Sequence, residues 1–396
     1  MDGPCSARIS SYYQTYCRYI NGRSMVSQPL YHIHHLDLRE FLENPGDFNP
    51  SGMQYLVFWW DDIPLGHLYM DEPGPKVHSM EWGEMVWGAV KPALTYYARK
   101  GKMETAALRE IFLHQKPEDS RSAFHSLFPP PDRTTKNRAS VSLVLCTRNR
   151  AKHLENALHS LTGLRPKPLE IIVVDNSPGV GATESVVAGF PEVKYVKEER
   201  RGLDYARNLG ISVAAGEIIA FTDDDVDLHP DWMWRLADSF SDPQVQAITG
   251  LVIAKALDTP AQYYFEKYWG FNRGYTPVYY DNAWFRQCAP AGVPIWEIGA
   301  GANMAFRRNI LDVLGGFDVR LDMGAAGCNG DSEMWYRILA EGWTVKYDPL
   351  VIAYHTHRSE MKDFKTQISL YMRGLVTSVM IEYHRYRNKG ERYHLV

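Results

Sequence analysis

A chain of 396 residues exceeds what one ordinary core organises, so two domains are expected. Hydrophobic content of 45% and charged content of 23% are those of a globular protein, and a formal net charge of −4 excludes the broad basic surface of a general nucleic-acid binder. The five cysteines form no C-x-x-C pair, which indicates neither a zinc knuckle nor a disulfide framework.

No signal peptide is recognised and no apolar run approaches the ~18–20 residues that span a bilayer. A reducing cytoplasm is therefore the expected location, with membrane contact at most peripheral. Residues 1–128 read as a smaller α+β accessory region of unassigned role. Tyr55–Trp60 is strand-like, Asp61–Pro64 turn-like, and Gly66–Met70 suits the returning partner of a hairpin. Trp82, Met85, Val86, Ala89, Val90, Ala93, Leu94 and Tyr97 recur at helical spacing, with Pro92 a kink or boundary. His32, His34 and His35 lie near Asp37 but complete no recognised metal-site spacing, so they read as exposed or packed side chains.

Pro129-Pro130-Pro131 and the polar run to Ala139 form a linker, residues 129–139. Beyond it Val141–Cys146 is a continuous aliphatic strand suited to burial on both faces. Leu154, Ala157, Leu158 and Leu161 supply the stripe of a covering helix. Ile171–Val174, Val193–Val196 and Ile218–Phe221 are further strands, with a helix over about 203–215 between the last two. This alternation predicts βαβ units and a predominantly parallel sheet over residues 140–360. Ligands bind outside the carboxyl ends of such strands, where Thr147-Arg148-Asn149, Asp175-Asn176-Ser177 and Asp223-Asp224-Asp225 stand. If the last strand stays extended, Asp223 and Asp225 project together and Asp224 turns away, the position most tolerant of replacement. Paired carboxylates at a strand end suit Mg²⁺ or Mn²⁺; a solvated acidic turn is the plainer alternative. Neither G-x-G-x-x-G after the first strand nor a P-loop motif occurs, so a dinucleotide oxidoreductase and a P-loop NTPase are poorly supported.

Six segments then carry a resemblance in fixed order. They are Val-Ser-Leu-Val-Leu-Cys-Thr-Arg-Asn-Arg (141–150), Ile-Ile-Val-Val-Asp-Asn-Ser (171–177), Gly-Leu-Asp-Tyr-Ala-Arg-Asn-Leu-Gly-Ile (202–211), Phe-Thr-Asp-Asp-Asp (221–225), Gly-Ala-Gly-Ala-Asn-Met-Ala-Phe-Arg-Arg (299–308) with Leu-Gly-Gly-Phe-Asp (314–318), and Gly-Asp-Ser-Glu-Met-Trp-Tyr-Arg (330–337). Over roughly 140–360 the chain resembles the family 2 glycosyltransferases, whose fold is GT-A, a Rossmann-like nucleotide-diphospho-sugar transferase domain. The resemblance implies a nucleotide-diphosphate-sugar donor, UDP-sugar by default, and inverting transfer to an acceptor nucleophile. It places Thr147, Arg148 and Asn149 at the nucleotide, Asp175 at the base and Arg207 near the diphosphate. Asp223 and Asp225 look like the D-x-D pair, Asp225 the more direct metal ligand, with Asp224 in the same donor site. Asp331 matches the general base, whose plainer alternative is a helix N-cap. Gly330 departs from the acidic residue usual before it, which makes Glu333 the fallback. A late histidine is implied near the metal, His355 before His357, while Arg358 is a candidate for neutralising phosphate.

Residues 260–296 hold twelve aromatics, most expected to pack a subdomain, with Trp269 or Trp296 lining an acceptor site. The tail 361–396 reads as a basic amphipathic helix, expected to dock on its own domain or a second subunit rather than on a membrane. Two competing functions stay open: a non-catalytic sugar-nucleotide-binding scaffold, and a sugar nucleotidyltransferase, which lacks its Gly-rich pyrophosphate loop here. The acceptor, whether small molecule, glycan or protein, is not specified, nor is the oligomeric state.

Overall fold

The computed structural model describes residues 31–43, 52–71, 80–114, 123–128, 139–179, 181–322 and 324–395. All but the last residue of the expected linker falls outside them. The first region holds β1 (Tyr31–Asp37), α1 (Leu38–Glu43), β2 (Met53–Trp60), β3 (Ile63–Met70), α2 (Met80–Lys100) and α3 (Thr105–His114). Its sheet runs β1-β2-β3, with β1 parallel and β3 antiparallel to β2. The hairpin forms where the apolar run Tyr55–Trp60 and its returning partner place it, with β2 buried from Gln54 onward. α2, however, passes through Pro92 without a break and buries Trp82, Val86, Val90 and Leu94. Packing of that face outweighs the missing amide. β1 carries the three histidines, and His35 Nδ1 accepts a hydrogen bond from Trp59 Nε1 at 3.0 Å.

The second region continues with β4 (Val141–Thr147), α4 (Ala151–Thr162), β5 (Glu170–Asp175), α5 (Ala182–Val187), β6 (Val193–Lys197), α6 (Leu203–Val213), β7 (Ile218–Asp223), β8 (Val226–Leu228) and α7 (Trp232–Ser239). β9 (Val245–Ala254), α8 (Pro260–Trp269), β10 (Val278–Tyr280), α9 (Asn282–Cys288), β11 (Asn303–Arg307), α10 (Arg308–Leu314), α11 (Gly330–Ala340), β12 (Thr344–His355) and α12 (Met361–Tyr386) complete it. The large sheet has the order β10-β12-β9-β11-β7-β4-β5-β6, with β8 paired to β12. β6, β5, β4 and β7 are mutually parallel, as are β9 and β12. β11 inserts antiparallel between β7 and β9, which makes the sheet mixed.

Alternation along the strands divides the interior into two cores. Leu143, Leu145, Ile171, Val173 and Ala220 pack under α4 and α7. Val144, Ile172, Val174, Ile219 and Phe221 face the other way, into a core that also contains Tyr55, Phe58, Trp60 and Trp87 of the first region. The two sheets therefore share one apolar interior.

Candidate active site

Three parallel strands end side by side: Thr147 closes β4, Asp175 closes β5 and Asp223 closes β7, with Thr147 opposite Asp175 and Cys146 opposite Asp223. A cavity of about 760 Å³ opens over these ends. Thr147, Arg148, Arg207, Asp223, Asp224, Asp225, Asp331, His355 and Arg358 all line it. Asn149 and Asp175 do not. Asn149 is exposed, with left-handed backbone (φ 56°), and its N–H donates to Ser177 Oγ at 2.8 Å. Asp175 accepts from the Ser177 N–H, Tyr195 Oη and Lys197 Nζ at 2.9, 2.9 and 3.2 Å. Burial would raise its pKa, but these donors outweigh it and hold the carboxyl below its ordinary range.

The acidic triplet is divided differently from the extended-strand expectation. β7 stops at Asp223, and Asp224 and Asp225 lie in the following turn, so strand alternation does not reach them. Asp224 is not turned out to solvent. It is 5% exposed, accepts from Thr147 Oγ1 at 2.7 Å and is paired with Arg150. The same Arg150 Nη1 lies 2.9 Å from Asp225 Oδ2. Burial pushes Asp224 up to about 7 despite Arg150, and burial with the neighbouring Asp225 charge raises Asp223. Asp225 is also buried, yet His355 and Arg150 outweigh that and hold it well below the usual carboxylate range. Of the three, Asp225 most firmly carries charge.

His355 arrives by a route the sequence concealed. β12 is one continuous strand from Thr344 to His355. Its register slips between Asp348 and Ile352, around Pro349, which has no N–H for the ladder and so mimics a strand end. Beyond the slip, His355 pairs with Val226 of β8, and the Thr356 N–H donates to the Asp225 carbonyl at 2.9 Å. This brings His355 Nε2 to 3.4 Å from Asp225 Oδ1. Among the described residues no three His, Cys, Asp or Glu side chains already stand at metal-holding spacing. The donor set still suits a hard divalent cation: an oxygen and a nitrogen face each other in the cavity, with the Asp223 carboxylate beside them. Such ions commonly complete their shell with water and phosphate oxygens.

Asp331 lies in the first turn of α11, one residue inside the helix, while Asn329 occupies the N-cap position. Its carboxylate and Arg207 of α6 both approach Gly301, where an added Cβ would stand 2.7 Å from Asp331 Oδ2 and 2.8 Å from Arg207 Nη2. Only glycine lets the backbone approach both groups. Arg207 is buried and also pairs with Asp204 at 3.1 Å. Gly330 has a physical reason as well: the space its Cβ would need is filled by the Asp204 carboxylate. Burial pushes Asp204 up to about 7 even beside Arg207. Glu333, the fallback base, is corrected by the structure. Two residues along a helix lie on nearly opposite faces, and Glu333 is 1% exposed, spent on Arg337 Nε at 2.9 Å and away from the cavity. His357 also lies behind the wall rather than on it.

Trp269 and Trp296 both line the cavity, with Phe271 and Arg273. Five of the insert's twelve rings are instead buried, Tyr263, Tyr264, Phe265, Tyr275 and Tyr280, and Tyr268, Trp284 and Phe285 pack partly buried against the core shared with the first region. α12 docks on the chain itself and closes one side with Gln367, Leu370, Tyr371 and Leu375. Arg150, Arg201 and Asp322 were missed by sequence reasoning. Arg150 ended a quoted motif and could have been found as the nearest cation; Asp322 gave no local signal.

Residues 142–315 match the family model described as glycosyl transferase family 2. A pre-mycofactocin glycosyltransferase of Mycobacterium tuberculosis is 24% identical over 235 residues, 58% of this chain and 46% of that protein. A glucosyl-dolichyl phosphate glucuronosyltransferase of Haloferax volcanii is 25% identical over 186 residues, 45% of this chain and 56% of that one. The chain thus spans about half the length of these curated relatives. A solved mannosyltransferase from Pyrobaculum calidifontis, in complex with GDP-Man and Mn²⁺, aligns with a TM-score of 0.46 at 20% identity, covering 76% of this chain and 81% of that one. No helix among the described residues is long and apolar enough to cross a membrane.

Proposed function

Residues 142–315 being a glycosyl transferase family 2 domain, we propose that the chain moves a sugar from a nucleotide-diphosphate donor to an acceptor nucleophile with inversion at the anomeric carbon. The observation that carries this reading is the juxtaposition, in one cavity, of the Asp225–His355 pair and the Asp331 carboxylate. In this reading residues 140–360 are the catalytic unit and the C-terminal helix is its wall. UDP-sugar remains the default donor.

Departure of the nucleoside diphosphate leaves negative charge on its oxygens. A divalent ion, Mg²⁺ or Mn²⁺, held by Asp225 and His355 with Asp223 alongside, would stabilise that charge as a Lewis acid. The cavity wall has six arginines against six aspartates, so cationic side chains such as Arg148, Arg201 and Arg358 are available to the phosphates. Arg150 is already committed to Asp224 and Asp225, and keeps three adjacent carboxylates compatible with one another. Trp269, Phe271 and Trp296 offer ring faces to the acceptor. As the new bond forms at the anomeric carbon and the bond to the diphosphate oxygen breaks, the acceptor hydroxyl gives its proton to Asp331. Such base assistance contributes about 10²–10⁴ in rate. Arg207, paired with Asp204 and close to Asp331 across Gly301, places positive charge beside that carboxylate rather than reaching outward for phosphate.

A thermal-shift screen of UDP-, GDP- and dTDP-sugars with and without Mn²⁺ tests the reading. Stabilisation by one nucleotide class, dependent on metal and lost in Asp225→Ala, is expected. No stabilisation by any donor would remove the reading.

A further inference from the structure

Behind His355 lies a buried polar chain that the transfer reaction does not itself call for. His355 Nδ1 is 2.8 Å from His357 Nδ1, and His357 Nε2 is 2.7 Å from Glu266 Oε2 on α8. The other Glu266 oxygen, Oε1, accepts from Tyr55 Oη of β2 at 3.4 Å. Tyr55 is 0% exposed, His357 3% and Glu266 8%. Gln262, one turn before Glu266, donates through Nε2 to the His357 carbonyl at 3.2 Å and so grips the same residue by its backbone.

The direction of these bonds decides what His355 presents. A carboxylate only accepts, so His357 donates through Nε2 and offers Nδ1 as an acceptor. His355 then donates through Nδ1, so its Nε2 either carries the proton that pairs with Asp225 Oδ1 or, once that proton has left, turns a lone pair on the same oxygen. At 3.4 Å a cation between the two atoms takes the place of that proton. A hydrogen bond to the far nitrogen of a ligating histidine fixes its tautomer and orientation, and here a second histidine carries that bond on to the carboxylate. α8 is itself held by the first region, since Tyr263 stacks on Tyr31 with centroids 4.8 Å apart.

We propose that Glu266 and His357 are positioning residues that hold His355 for a divalent cation, and that Tyr55 of the N-terminal sheet seats Glu266. The first region is thereby a working part of the metal end of the site. The inference rests on the reading of His355 as a metal ligand given above.

The test titrates the full chain with Mn²⁺ in saturating UDP, GDP or dTDP, reading free Mn²⁺ by electron paramagnetic resonance and the melting temperature of each sample. Glu266→Met is expected to weaken Mn²⁺ binding about 10-fold or more. Glu266→Gln, which keeps an acceptor oxygen, should restore most of it, and Tyr55→Phe should cost about two- to threefold, as expected for one weak bond. In a His355→Ala background, adding Glu266→Met should change nothing further, which a merely structural role would not produce. Should Glu266→Met fail to fold, His357→Phe, beside Phe265 and Phe271, takes its place in the same cycle. Mn²⁺ affinity unchanged in the folded relay variant, or an equal loss with and without His355, would overturn this inference alone. No Mn²⁺ binding by the unaltered chain with any of the three nucleotides, or binding indifferent to His355→Ala, would overturn the metal reading and the inference together.

Discussion

Glu391→Gln should make the protein more resistant to alkaline destabilisation, and the structure sets the size of the effect. Glu391 lies in the C-terminal turn after α12 and is 0% exposed. Its Oε1 accepts from the Val293 N–H, Tyr336 Oη and Asn388 Nδ2 at 3.2, 3.2 and 2.8 Å. Oε2 has no hydrogen bond, and His394 Nε2 stands 3.6 Å away. Burial, only partly offset by the three donors, pushes the carboxyl from an ordinary 4.5 up to about 7. A folded-state value above the unfolded one means the native protein binds the proton more tightly. The associated stability is present below about 4.5 and is lost as pH rises through about 7. At about 1.4 kcal/mol per pH unit, that interval amounts to about 3 kcal/mol. Glutamine keeps the acceptor oxygen and turns a donor toward His394. Urea denaturation at pH 5 and pH 8 should therefore show the variant close to the unaltered chain at pH 5, and more stable by up to about 3 kcal/mol at pH 8. Titrations elsewhere cancel in the difference. Parallel stability profiles across that range would refute the reasoning.

Asp331→Asn should lower turnover by about 10²-fold or more while nucleotide-sugar binding, read by calorimetry, persists. Retained turnover would exclude Asp331 as the base. Asp224→Ala, at the position expected from the strand pattern to be tolerant, should instead destabilise by about 1–3 kcal/mol, because Thr147 loses its acceptor and Arg150 one of its two partners. Thermal melting checks this. Gly330→Ala should cost about 1–3 kcal/mol through overlap with Asp204, and an unchanged melting temperature would contradict the packing at that point.

The parallel half of the large sheet was legible because its strands are continuous aliphatic runs and its helices carry complete stripes. Leu154, Ala157, Leu158 and Leu161 are all buried where the spacing puts them. Residues delivered by strand ends followed from that frame, as Thr147, Asp175 and Asp223 illustrate. Two kinds of feature were not legible. A turn cancels a periodicity argument at the residue where the ladder stops, which is why strand alternation misplaces Asp224. Long-range partners leave no local mark: nothing near His355 announces Glu266, 89 residues earlier, and nothing near Gly330 announces that Asp204 fills its space. Pro349 hid the continuity of β12, because a missing amide looks the same in sequence whether a strand ends or slips.

The apolar interior shared by the two sheets has a practical consequence for anyone dissecting this gene product. The proline-rich stretch near residue 130 invites a cut, yet a fragment starting at Val141 would uncover the faces that Tyr31, Tyr55 and the α2 side chains cover. Such a fragment should be recovered in inclusion bodies or as soluble aggregates. Amide exchange in β2 and in the adjoining large-sheet strands should slow and collapse together under mild denaturant, the behaviour of one cooperative folding unit.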